Sequence, residues 1–305
     1  MKDLDSDAPP ALLGNARPRR SMRWLFLILG VLMLSFISVR LAQRHKTQSY
    51  LERIRNEGLP STLDEANSWY AMVPFDENAA LKFLEAADLK IDAQPKLQKN
   101  LPVVGKANNL PAARMGLPSE MREAIESYLA DNEPALELAH EAARLNKSRY
   151  PMDLRQGFST LVPHLARVKG LAQLLKLEAI YYSDQPKADL AVRSALTSFA
   201  LAHSLKDEPL IISQLVRIAC VSIALSGLER TCSENVLTED QLLALAEKIK
   251  EAETDSDASP LRALAGEQCN GVEAFNMPPQ RLLSVLGQGS GASGVPPAVH
   301  VAMFH

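Results

Sequence analysis

The chain has 305 residues, 47% hydrophobic, 23% charged and 5% aromatic. That length supplies one large domain or two small ones, and few aromatics beside abundant Ala and Leu point to helices rather than sheets. Residues 1–55 hold ten Lys/Arg against four Asp/Glu, leaving 23 against 32 for residues 56–305, so the acidic main body lacks the basic stripe that nucleic acid needs.

Residues 1–20, polar and proline-bearing, read as a disordered basic head. A transmembrane helix is expected over 21–44. Trp24 to Val39 is sixteen residues without a charge, about 24 Å of helix, and residues 24–42 form the membrane-contacting part once Arg40 snorkels. Trp24 suits the interface. Cleavage after Ala42 would place Arg40 where a small residue is wanted, so the segment reads as an uncleaved signal-anchor. Arg17, Arg19, Arg20 and Arg23 before the span nearly balance Arg40, Arg44, Lys46, Arg53 and Arg55 after it. The short basic head favours a single-pass cell-membrane protein with its N-terminus inside and its main domain extracytoplasmic, on the periplasmic side.

An all-helical domain is expected over 45–286. The anchor helix runs on toward a cap at Gly58, Ser61 with Asp64 starts the next helix, and Asp76 caps "FDENAALKFLEAAD". Residues 90–118, with four prolines and two glycines, read as an irregular loop that covers a groove. Helices resume at "SEMREAIESYLADN", with Met121, Ile125, Tyr128 and Leu129 on one side, and at "EPALELAHEAARLN", with Pro134 in its first turn. "PHLARVKGLAQLLKLEAIYY" and "KADLAVRSALTSFALAHSL" form a hairpin with small residues on the second helix.

"PLIISQLVRIACVSIALSGL", residues 209–228, is long enough to cross a bilayer, but Arg217 at mid-membrane costs about 2.5–3.5 kcal/mol. It reads instead as the central helix of the body. Thr238 and Gln241 give a capping box for the next helix, and Ser259-Pro260 starts one more. Residues 287–305 read as a flexible Gly/Ser/Pro tail.

The fold class expected is therefore all-α, an irregular stack of helical hairpins, solenoid-like or a bundle, behind a single N-terminal transmembrane helix. The stretches "LPSTLDEANSWYAMVPFDENAA", "LVPHLARVKGLAQLLKLEA" and "EPLIISQLVRIA" resemble a loose set of uncharacterised bacterial proteins with one N-terminal membrane helix and a loosely tetratricopeptide-like body. That resemblance implies an architecture and no catalytic residue.

Glu137 and His140 form the E-x-x-H unit of di-iron bundles, but no second copy exists, and Arg144 stands where a zinc protease needs its second His, so this reads as a solvated helix face. His164 reads as a terminal residue, exposed or packed. There is no G-x-S-x-G and no P-loop, and "GQGSGASG" lacks the flanking strand and helix of a phosphate cradle, so no cofactor is indicated. Cys220, Cys232 and Cys269 have no paired spacing.

The site residues singled out are Arg217 and Glu178. Both interrupt apolar faces, and a buried lone charge is very costly, so they are expected to form a buried ion pair; Glu208, Gln214 and Glu267 are the other candidate partners of Arg217. The expected function is a membrane-anchored helical scaffold or protein/peptide-interaction domain with a partner in the cell envelope, using a concave face or the 90–118 loop. The alternative is an extracytoplasmic enzyme or ligand-sensing domain.

Overall fold

A computed structural model describes residues 19–107, 110–278 and 280. The expected head before residue 19 and the tail over 287–305 lie outside the described residues. The chain divides into two compact units, Met1–Gly58 and Leu59–His305.

Among the described residues the first unit holds one helix, α1 (Arg19–Asn56). The apolar segment and the following residues to Asn56 are a single element, so the helical body starts at Leu59 rather than near residue 45. Its window Phe26–Asn56 passes the length and hydropathy test for a membrane span, with no residue of the most apolar stretch buried. Gly58 ends it as the sequence implies: its φ of 76° is left-handed, a conformation that favours glycine, and its N–H donates to the Arg55 carbonyl.

The second unit holds α2 (Leu63–Trp69), α3 (Ala79–Leu89), the single turn α4 (Pro95–Gln98), α5 (Ser119–Asp131), α6 (Glu133–Ala142), α7 (His164–Ser183), α8 (Ala188–His203), α9 (Ile211–Glu234) and α10 (Glu239–Asn276). No strand occurs among the described residues; one isolated bridge joins Asn78 and Lys147. The fold is all-α, as composition and periodicity imply.

The caps explain where helices begin. At α2 the box lies one residue later than expected: Thr62 Oγ1 accepts from the Glu65 N–H, while the Ser61 N–H and hydroxyl both donate to Glu65 Oε2. Asp76 falls in a 3-10 turn, and Asn78 caps α3 through the Ala80 N–H. The Asn side chain also bridges to Arg149, accepting its N–H and donating to its carbonyl, which secures the chain after α6. Thr238 and Gln241 form the expected reciprocal box on α10.

α7 is the centre. Leu165, Val168, Leu171, Ala172, Leu174, Leu175, Leu177 and Ile180 are all buried, so it is covered nearly all round by α3, α5, α8 and α9. A fully buried leucine contributes roughly 1.5–3 kcal/mol, which makes α7 the main organiser of the core. The central position was expected of α9, but α9 is only half covered. Ser213, Gln214, Arg217, Cys220, Ala224 and Leu228 face inward, while Ile211, Leu215, Ile218 and Leu225 face out.

α10 is one helix where two were expected. Pro260 sits inside it, and Ser259 is buried against the body rather than opening a new element. α10 returns antiparallel to α9 and then reaches α2, where Cys269 joins Ala66, Tyr70, Leu154 and Leu210 in a small core of its own. Gly266 permits the closest approach: a Cβ there would overlap the Pro209 carbonyl.

The 90–118 segment is packed, not draped over a groove. Leu101 and Leu117 are buried, and Leu97, Val103, Val104 and Leu110 lie against the main core. The Lys106 N–H donates to the Gln98 carbonyl and the Ala107 N–H to that of Leu101, so the segment folds on itself. Its far end is tied to α9, where the Arg114 N–H donates to Glu234 Oε2 and Arg230 Nη1 to the Pro111 carbonyl.

Candidate functional site

Buried polar side chains gather on α8 and its neighbours. His140, on the inward side of α6, is nearly buried. Its Nδ1 lies 2.8 Å from Thr197 Oγ1 and its Nε2 lies 3.0 Å from Glu178 Oε2. An ionised carboxylate only accepts, so Nε2 carries a proton there and the Thr197 hydroxyl meets Nδ1. Ser194 donates to the same Glu178 oxygen at 2.7 Å. Glu178 thus ties α6, α7 and α8 together from inside. The expectation that the Glu137–His140 face is solvated holds only for Glu137, which is exposed.

A second group surrounds His164, which of the two settings expected for it takes the packed one. Its Nε2 is 2.8 Å from Glu208 Oε1, and its ring stacks on Tyr150 at 4.6 Å between centroids. The Tyr150 hydroxyl meets Ser204 Oγ at 2.7 Å, while its N–H donates to the Tyr70 hydroxyl. Burial holds both phenols well above their ordinary ionisation range.

The third group contains Arg217, fully buried on α9. Its Nε donates to Gln214 Oε1 at 2.8 Å, and Nη2 reaches the Asp255 carbonyl at 3.3 Å and Ser256 Oγ at 3.4 Å. Pro260, one turn further on, cannot donate to the Ser256 carbonyl beside this contact. Burial lowers the Arg217 pKa and the nearby Asp255 charge opposes that shift. The Asp255 carboxylate itself bonds His203, Oδ2 to Nδ1 at 2.6 Å.

Arg217 and Glu178 are therefore both buried, as the sequence demands, but their partners differ from the pair expected. Arg217 is served by Gln214 and α10, and Glu178 by His140 and Ser194. Gln214 was among the named alternatives for Arg217, and Glu208 serves His164 instead. Glu267 accepts from the Ile211 N–H.

A cleft opens between α6, α8 and α10, about 480 Å³ in volume. His140 and Thr197 reach its floor, Val192, Leu196 and Ala200 give it apolar area, and Arg144, Arg193 and Lys248 stand on its walls. Sequence reasoning missed this place because its residues come from three separated helices. One local signal existed: His140 stands four after the buried Leu136 and one after the buried Ala139, on the inner side of α6.

The hydroxyl–imidazole–carboxylate order of Thr197, His140 and Glu178 has the parts of a nucleophile relay, but its setting does not suit acyl transfer. Thr197 is 3% exposed and sits inside α8, where neighbouring N–H groups are committed to the helix and leave no donors for an oxyanion. Among the described residues no group of three or more His, Cys, Asp or Glu is disposed to hold a metal ion. No family model matches the chain, and neither a curated protein nor a solved structure is similar to it.

Proposed function

We propose that the protein is a membrane-tethered helical scaffold. On this reading α1 crosses the bilayer and the helical body, on the periplasmic side, docks an amphipathic helix of another cell-envelope protein on the outer face of α9. The observation that carries the proposal is the apolar stripe Ile211, Leu215, Ile218 and Leu225, 41–57% exposed at near-helical spacing over about 21 Å. Exposed apolar surface arranged in a line is the usual signature of a helix-binding face.

A lipid surface is the other apolar occupant to weigh. Faces that lie on anionic lipid carry Lys and Arg along their polar edge. This stripe runs on to exposed Glu229, and the exposed Glu253 and Asp257 lie on the neighbouring α10, which suits a helix with basic flanks instead. α9 also passes the length and hydropathy test for a span, yet its buried side holds Arg217 and Gln214, and 39% of its most apolar window is covered by the body.

The test uses the full chain in its native membrane, with a photo-crosslinking residue at Leu215 or Ile218 and, as control, at exposed Lys99. The reading expects one discrete protein adduct from the α9 positions and none from residue 99. Ile211→Asp, at the far end of the stripe, should abolish that adduct without lowering the melting temperature. Lipid adducts alone, or a protein adduct indifferent to Ile211→Asp, would refute it. Exposed Cys232 reports the side: a membrane-impermeant maleimide should label it in cells with a permeable outer membrane.

A further inference from the structure

We propose that the cleft between α6, α8 and α10 binds a small organic anion, with its carboxylate or phosphate held between Arg144 and Arg193. This site is separate from the α9 face and does not depend on the scaffold reading.

The first support is charge. Arg144 and Arg193 both line the cleft and are exposed, and neither has a carboxylate at ion-pair distance among the described residues. Each guanidinium lines the cleft without such a carboxylate partner, and an anion bound there supplies one. The carboxylates nearby do not fill this role. Asp189 accepts from Gln241 Nε2, and Glu251 is engaged by Lys248 at 2.7 Å and lies 3.4 Å from His203. Glu247 stands exposed on the α10 wall. The lining of the cleft itself carries Arg144, Arg193 and Lys248 against Asp189 and Glu247, a balance of +1, in a body with more Asp/Glu than Lys/Arg. Arg presents a planar fork that matches carboxylate and phosphate, which is why the head group is placed there.

The second support is shape. A volume of about 480 Å³ falls within the range of small-ligand sites. Ala143, Val192, Leu196, Ala200 and Ala244 offer apolar contact beneath the cations, so the ligand has a short apolar body as well as a charge. A smaller recess of about 190 Å³ adjoins the cleft, sharing Ala143, Ala200 and Lys248 with it, and leaves room for that body to extend toward His203. The third support is a fixed floor. His140 is locked by Thr197 on one side and Glu178 on the other, so the polar base is set before a ligand arrives.

The experiment is a ligand-observed NMR titration of the full chain in lipid nanodiscs. Benzoate and phenyl phosphate are the anionic probes, and benzamide is the neutral control of similar size. Saturable binding of benzoate or phenyl phosphate is expected, with little from benzamide, and the tighter anion names the head group. Arg144→Gln and Arg193→Gln should each weaken binding about tenfold or more, a change of about 1.4 kcal/mol. Exposed Lys99→Gln, which removes one positive charge elsewhere, should leave it unchanged. All three positions are on the surface, and melting curves verify that the variants fold. Equal binding of benzamide, no saturation by either anion up to about 10 mM (weaker than any specific site of this kind), or indifference to both arginine substitutions would each overturn the proposal.

Discussion

Glu178 offers the sharpest check on the core packing, because its carboxylate bonds His140 and Ser194 where the sequence alone implies Arg217. Glu178→Leu removes the acceptor of the Ser194 hydroxyl at 2.7 Å and of His140 Nε2 at 3.0 Å. Bonds to a charged group contribute roughly 1.5–3 kcal/mol each, and relief from burying the carboxylate offsets part of that loss. A net destabilisation of about 2–4 kcal/mol is expected, which for a body of this size lowers the melting midpoint by roughly 5–12 °C. The assay is thermal unfolding by circular dichroism at 222 nm, run as two double-mutant cycles. Glu178→Leu with His140→Leu should be non-additive by about 1–3 kcal/mol, since the two share a bond. Glu178→Leu with Arg217→Met should be additive within about 0.5 kcal/mol, since the two side chains share no hydrogen-bond partner. The reverse pattern, coupling to Arg217 and additivity with His140, would show that the carboxylate serves the arginine and not the histidine.

Gly266→Ala should lower the midpoint by several degrees because its Cβ meets the Pro209 backbone, whereas Gly271→Ala in the same helix, with nothing within 4 Å, should be neutral or slightly stabilising; equal effects would remove the close approach. In native protein at pH 8 one thiol, Cys232, should react with a thiol reagent. Cys220, pushed up to about 12 by burial, and Cys269, pushed up to about 11, should react only in denaturant, and a second fast native thiol would contradict their burial. Tyr70 and Tyr150 have folded-state pKa values raised mainly by burial, so the folded state favours their neutral form. Their contribution is whole below the unfolded tyrosine pKa of about 10 and falls as pH rises above it. In a pH titration followed by absorbance at 295 nm, Tyr70 and Tyr150 should ionise only on unfolding; ionisation of all six tyrosines while the protein is still folded would deny the buried network.

Much of the fold was legible from one-dimensional pattern. Met121, Ile125, Tyr128 and Leu129 announce the buried side of α5, and Thr238 with Gln241 announces the start of α10, because both depend on residues within one or two turns. Arg217 and Glu178 were recognisable as buried, since each breaks an apolar face. Their partners were not, because the contacts of Glu178 to His140 span 38 residues and that of Arg217 to the Asp255 carbonyl also spans 38, and periodicity carries no information at that separation. Pro260 misled in a different way. Proline does favour a first turn, but here tertiary packing of Ser259 and Ala263 holds the helix through it. α7 was legible as a helix from its apolar spacing, but spacing along one helix does not show that it is wrapped on nearly every side, so the central place was assigned to the more uniformly apolar α9.

The small core that joins α2 to α10 sets an order of assembly. α7, α8, α9 and α10 follow one another and pack as neighbours, so they can associate soon after each is synthesised. Ala66 and Tyr70 are made early, yet the Cys269 they pack against is made some two hundred residues later. The body's first helix meets Tyr150 and Leu154 midway through the chain, but its small core is closed only when Cys269 arrives. Truncation before Cys269 would leave that small core open on its α10 side.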